Sequence, residues 1–310
     1  MIIAGLFVLL AVFLYLIGRA ADLVIISTKA IGKNLGVKDF WLGLLLGLLT
    51  STPELTIGVQ AQVQGTGELS LGNLMGGVLV VLGLVCGLSV ALQRELNVAK
   101  DFATQEIAVI AGYIALPLAL VSDGTLSMFD GLLLVTMYVA ITFMLMERHR
   151  SYGGLVLRRT SSNLVSSLKL TGGLLAVVVL ARLILWLALL LTTELHVSLF
   201  IMGLLVLGIG TNLPEITLAF RAWRTHARDL SLGNLVGSAF ANGLILGILA
   251  LIRPLVLHRS GSFMVTAIAM VVVLGSFVWL SATGKKLTRR EGVALVFIYL
   301  LFVSASIILY

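Results

Sequence analysis

The sequence predicts an all-α membrane protein, with ten transmembrane helices arranged as two inverted five-helix repeats. Three observations carry this expectation. Apolar segments long enough to cross a bilayer recur along the chain. Basic residues gather in every other loop. One polar motif appears twice at a constant offset that places Glu54 onto Glu215.

Of the 310 residues, 59% are hydrophobic and only 11% are charged. A soluble domain carries about a quarter charged residues, so this composition requires lipid as solvent. The apolar segments run roughly 2–27, 40–63, 70–92, 104–122, 128–147, 170–192, 198–221, 231–252, 262–282 and 291–309. Each is about twenty residues long, the length of a helix that spans the hydrocarbon. A β-barrel would show shorter segments of alternating polarity. The first segment has no basic n-region before it, so it reads as a retained span rather than a signal peptide. The single cysteine, Cys86, lies inside span 3, so no internal disulfide is expected.

The net charge of +7 does not point to nucleic acid, because the basic residues sit in short loops between spans. Seventeen lysines and arginines lie in the loops after spans 1, 3, 5, 7 and 9. Only Arg253 and Arg259 lie in loops on the other side, while Arg19 and Arg182 fall within spans. The positive-inside rule then places the basic side in the cytoplasm and both termini outside. The longest polar stretch, 148–169, divides the chain into a first half, 1–147, and a second, 170–310.

The repeat joins Glu54–Gly77 to Glu215–Ser238 without a gap. Leu69-Ser70-Leu71-Gly72-Asn73-Leu74 recurs as Leu230 to Leu235, and Asp130-Gly131 recurs as Glu291-Gly292. Five spans is an odd number, so tandem copies insert with opposite topology. Transporters built this way bind their ions at the repeat interface near the midplane.

Thr50-Ser51-Thr52-Pro53-Glu54 lies inside span 2, and Thr211-Asn212-Leu213-Pro214-Glu215 inside span 7. A charged group at that depth costs about 2.5–3.5 kcal/mol on insertion scales, and it usually marks an ion or proton pathway. Pro53 and Pro214 break the helix and disturb the carbonyls of Leu49 and Gly210, with those of Thr50 and Thr211 beside them. Hydroxyls of Thr50, Ser51, Thr52 and Thr211 and the amide of Asn212 add oxygen. Two carboxylates among such oxygens suit a hard cation, and Ca2+ fits by charge. Asn73 and Asn234, in the two Gly-Asn-Leu runs that open spans 3 and 8, either offer amide oxygens or cross-link helices. No cofactor is expected. Asp22 reads as a hydrogen-bonding group at the inner end of span 1, and Arg182 as a snorkelling or paired cation.

The paired motifs TSTPE and TNLPE, each followed by GNLMGG or GNLVGS, resemble the cation/calcium antiporter superfamily. The closest likeness is to prokaryotic sodium/calcium exchangers, whose α-repeats would correspond to about 40–92 and 198–252. The resemblance implies alternating-access exchange of Ca2+ for Na+ in the plasma membrane of a prokaryotic cell. Glu54 and Glu215 would be the main ion ligands, and Thr50 and Thr211 would lend backbone carbonyls. Ser51 and Ser238 match positions that help bind Na+. The chain departs from the pattern at Gly77, where the family has Ser, and at Val81, where it has a polar Asn or Asp. Asn212 replaces another Ser, while Ser238 and Asn242 are retained in the second half.

The same two glutamates would also serve a Ca2+/H+ antiporter, since they can release two protons as Ca2+ binds. An intramembrane enzyme would need a nucleophile with its base, or a His–Glu metal site. No His lies in a span near the glutamates. A channel is expected to carry a ring of repeated subunits, not an internal inverted pair. The sequence leaves the counter-ion and the oligomeric state open.

Overall fold

The computed structural model describes residues 2–34, 49–93, 95–97, 103–148, 164–216, 232–257, 261–284 and 286–308. These residues are nearly all helical. The chain opens with α1 (Ile2–Asn34) and, after a turn at Ser51, α2 (Thr52–Val63). Helix α3 (Gly67–Leu79) runs through a π-helical segment, Val80–Val85, into α4 (Cys86–Gln93). Strand β1 (Glu95–Asn97) and α5 (Thr104–Leu120) follow, then β2 (Thr125–Leu126) and α6 (Met128–Arg148). The described chain resumes with α7 (Leu164–Leu195). Next come α8 (Leu199–Ile201), a second π-helical segment Met202–Leu207, and α9 (Gly208–Thr211). It ends with α10 (Leu232–Ile252), β3 (Leu255–Val256), α11 (Gly261–Gly284), β4 (Lys286–Thr288) and α12 (Arg289–Ile308).

Eight described helices are long and apolar enough to cross a membrane. They correspond to expected spans 1, 3, 4, 5, 6, 8, 9 and 10. Expected spans 2 and 7 are represented by α2 and by the apolar stretch Leu199–Thr211, and both run into residues outside the described set. Most of the polar stretch 148–169 also lies outside it, although α7 already begins at Leu164. Large apolar side chains such as Phe129, Phe143, Trp186 and Trp279 are exposed around the bundle. In water such a surface would drive aggregation; against lipid tails it costs nothing.

Helices α3 and α10 are the most enclosed of the long helices. Glycines explain how the segment Met202–Leu207 approaches α3 so closely. A Cβ at Gly203 would collide with the Leu69 carbonyl oxygen, and one at Gly76 with the Leu204 carbonyl oxygen. Small residues allow such backbone contact, and in a membrane close packing is a main source of helix association. Helix α1 packs along α7 at the side of this core.

Four short strands qualify the all-helical expectation. β1 pairs antiparallel with β4, and β2 pairs antiparallel with β3. The first ladder ties the loop after span 3 to the loop after span 9, and the second ties the loop after span 4 to that after span 8. Loops that meet at one end of a bundle satisfy each other's backbone donors and acceptors, as buried or half-buried peptide groups require. Matched caps follow the same offset as the motif. The Ser127 N–H donates to Asp130 Oδ2 at 2.8 Å at the start of α6, and the Thr288 N–H donates to Glu291 Oε2 at 2.6 Å at the start of α12.

Candidate functional site

Both Pro-Glu motifs sit immediately after a break in a helix. Ser51 has φ −88° and ψ 14°, and Asn212 has φ −94° and ψ 12°. These are nearly the same irregular conformation at positions related by the repeat. A proline two residues later lacks the N–H that would continue the preceding helix, so the chain turns there. The helix restarts with matching bonds: the Leu55 N–H donates to the Ser51 carbonyl at 3.0 Å, and the Ile216 N–H to the Asn212 carbonyl at 3.1 Å. In the first half the disturbed Leu49 carbonyl accepts from the Thr52 hydroxyl at 2.6 Å. Thr52 therefore spends its hydroxyl on the backbone, a use its position in the motif did not announce.

The breaks bring the two carboxylates into one buried polar cluster. Glu54 is 5% exposed and Glu215 is 7% exposed. The charge of Glu215 acts on Glu54, and the Thr211 side chain hydrogen-bonds the Glu54 carboxyl. The Thr211 hydroxyl also lies 3.3 Å from Asn73 Oδ1 and 3.1 Å from the Leu207 carbonyl. One hydroxyl proton serves one acceptor at a time, so oxygen atoms here outnumber the protons that could bridge them. Ser51 Oγ, Glu54 Oε2, Glu215 Oε2 and Asn73 Nδ2 are buried and find no hydrogen-bond partner among the described residues. A buried polar atom left unpaired costs about 1–3 kcal/mol, more when charged. In a native interior each such atom calls for an explanation.

The remaining residues singled out in the sequence fall around this cluster. Asn212 donates its amide to the Gly208 carbonyl at 2.8 Å, and Asn242 donates across the halves to the Leu74 carbonyl at 3.1 Å. Ser238 is buried on α10. Thr50 is half-buried just before the first break. Pro53 is buried, and the Pro214 ring lies against Gly18 of α1, where a Cβ would come within 2.9 Å of it. The side chain of Asn234 lies outside the described residues. Asp22 pairs with Arg19 on its own helix at 3.9 Å, and its charge reaches Glu215. That placement beside the cluster follows from α1 crossing Pro214, and local sequence gave no sign of it. Arg182 is exposed on α7.

A nearly all-helical bundle with apolar helices of membrane-spanning length and a buried glutamate beside each of two helix breaks has the make-up of an ion transporter. The sequence pattern of the family described as "Sodium/calcium exchanger protein" matches residues 5–146 and 166–308. The chain belongs to that family and is a cation/calcium antiporter of the membrane. It is 26% identical to the inner membrane protein YrbG of Escherichia coli (strain K12) over 259 residues, 79% of each chain. It is 25% identical to the sodium/calcium exchanger MaX1 of Methanosarcina acetivorans, covering 96% of this chain and 97% of that one. Its fold is similar to that of the sodium-calcium exchanger NCX_Mj soaked with Na+ and Sr2+, with TM-score 0.67, 23% identity and 97% of each chain covered.

Proposed function

We propose that this antiporter exchanges Ca2+ for Na+ by alternating access, with Glu54 and Glu215 as the principal ligands of both ions. The observation that carries the reading is the meeting of two buried carboxylates, each with an unpartnered oxygen, in a cluster rich in neutral oxygens. Two carboxylates match one Ca2+ in charge. Hydroxyl, amide and carbonyl oxygens suit its preference for six to eight hard ligands. Thr50 and Thr211 would supply backbone carbonyls at the helix breaks. Ser51, Asn73, Asn212, Asn234, Ser238 and Asn242 would support the site, and Pro53 and Pro214 would hold the breaks open.

In this reading the chain is two inverted five-span halves, divided near 148–169. Support comes from features repeated at one offset: the kinks at Ser51 and Asn212, the caps at Asp130 and Glu291, and the two strand ladders. Basic loops would face the cytoplasm of a prokaryotic cell, with both termini outside. Named relatives include an exchanger of sodium and calcium, which favours Na+ as the driving ion. The Ca2+/H+ reading draws on Gly77 and Val81, which withhold two side-chain oxygens from the first half.

The test is uptake of radioactive Ca2+ into proteoliposomes holding the purified full chain. Na+, proton and K+ gradients are imposed in turn. Ca2+ accumulation that follows an outward Na+ gradient is the expected result. Failure of every gradient to move Ca2+ would refute the antiporter site.

A further inference from the structure

Among positions related by the repeat, three polar differences lie close to the motifs: Ser51 and Asn212, Gly77 and Ser238, and Val81 and Asn242. The structure brings one member of each pair to a single place. A Cβ built at Gly77 would lie 3.1 Å from the Asn242 amide nitrogen and 3.2 Å from that of Asn212. The orientation of both amides is fixed by what they touch. Asn212 meets the Gly208 carbonyl and Asn242 meets the Leu74 carbonyl. A backbone carbonyl only accepts, so the end of each amide facing it is the NH2 group. All three residues are buried. The space beside Gly77 is therefore filled by two hydrogen-bond donors from the second half, and it has no side chain of its own to offer oxygen.

We propose that these two amides leave no place for a cation beside Gly77, so that the exchanger moves one Ca2+ against two monovalent cations with no net charge. This rests on the antiporter reading above. Donor hydrogens carry partial positive charge, and a cation placed among them would be repelled where it needs lone pairs. A hydroxyl at this position would have offered such a lone pair; glycine leaves the room to the amides. Ser238, the position that the repeat matches to Gly77, keeps a buried hydroxyl. Two monovalent ions, one there and one at the carboxylates, balance the formal charge of Glu54 and Glu215, as one Ca2+ does. A third would have no place beside Gly77.

The experiment measures Ca2+ uptake by full-chain proteoliposomes while K+ and valinomycin set the membrane potential. One arm uses a Na+ gradient and the other a pH gradient, which identifies the monovalent ion. A cycle that moved one net charge would shift its Ca2+ accumulation about 50-fold for ~100 mV. The expected result is no such shift, together with a Hill coefficient for the driving ion of at most about 2. A large voltage shift, or a Hill coefficient near 3, would overturn the proposal and leave the antiporter reading standing. Absence of Ca2+ flux in both arms would remove that reading and this proposal together. The double variant G77S/N212S adds a hydroxyl at Gly77 and replaces the Asn212 amide with a second one, leaving the Asn242 amide as the one donor there. It is expected to acquire voltage dependence. If it transports Ca2+ and stays electroneutral, the missing Gly77 hydroxyl and the Asn212 amide are not what excludes the third cation, and the proposal fails. If it does not fold, the wild-type voltage measurement decides alone.

Discussion

Gly203→Ala tests whether the tight seam between α3 and the segment Met202–Leu207 positions the site. The added methyl would collide with the Leu69 carbonyl oxygen. It would also stand 2.8 Å from the Asn73 backbone nitrogen and 3.0 Å from the Leu69 carbonyl carbon. All three are backbone atoms, so no side-chain rotation relieves them. Ordinary contact needs about 3.5 Å or more, so the two segments must separate by roughly 1 Å. Overpacking of this kind costs about 1–3 kcal/mol. The separation also carries Asn73 away from Thr211. Their contact is already 3.3 Å, and a further shift breaks it. Loss of ~1.4 kcal/mol of ligand geometry is a tenfold change in affinity, so Ca2+ transport per folded molecule should fall about tenfold. Thermal unfolding in detergent and Ca2+ uptake in liposomes read the two effects separately. Gly275→Ala on α11 is the control, because its Cβ meets nothing within 4 Å. A Gly203→Ala protein that melts and transports like wild type would refute this view of the seam.

Other substitutions probe the remaining parts. Glu54→Gln and Glu215→Gln should each abolish Ca2+ transport while leaving membrane insertion and melting intact; preserved transport in both would remove the carboxylates from the site. Thr52→Val deletes the donor to the Leu49 carbonyl and should lower stability by about 1 kcal/mol, read from the melting curve, with a smaller loss of transport than either glutamate variant. Glu106→Ala removes the acceptor of the Ala103 N–H and the 3.9 Å partner of Arg148. A lost cap costs about 1 kcal/mol, so melting should shift while Ca2+ affinity does not. Cys86 is buried, so in a Cys86→Ser background a membrane-impermeant maleimide added outside cells should label Ser122→Cys and spare Arg148→Cys. The reverse labelling would invert the proposed orientation.

Much of this was legible before any coordinates. Span positions follow from hydropathy because a helix in lipid must be apolar over a fixed length. The boundaries at Thr104, Met128 and Ile252 agree with the segments to within a residue or two. The glutamates stood out because charge at that depth is costly, and their shared offset made them a pair. What the sequence could not announce are contacts between distant residues. The strand ladders depend on which loops share an end of the bundle. The Thr52 hydroxyl looked available until the Leu49 carbonyl was placed beneath it. Asp22 reads as a local polar group, yet its helix passes over Pro214 and brings it toward Glu215.

The departures from the family pattern show the same limit most sharply. Taken singly, Gly77 and Val81 read as lost oxygens, and Asn212 and Asn242 read as oxygens kept or exchanged. Sequence gives no reason to connect them, since an amide offers either a donor or an acceptor. The choice is made by the Gly208 and Leu74 carbonyls, which demand donors and so turn both NH2 groups toward Gly77. The glycine and the asparagines then form one feature: small on one side, filled from the other. A compensating arrangement of this kind keeps the interior close-packed where a serine has been lost. In the proposed exchanger two donors then stand where an oxygen would have served a cation. The ion chemistry at the Gly77 side therefore depends on the direction in which two amides point, and the residues that set that direction act through their backbone alone.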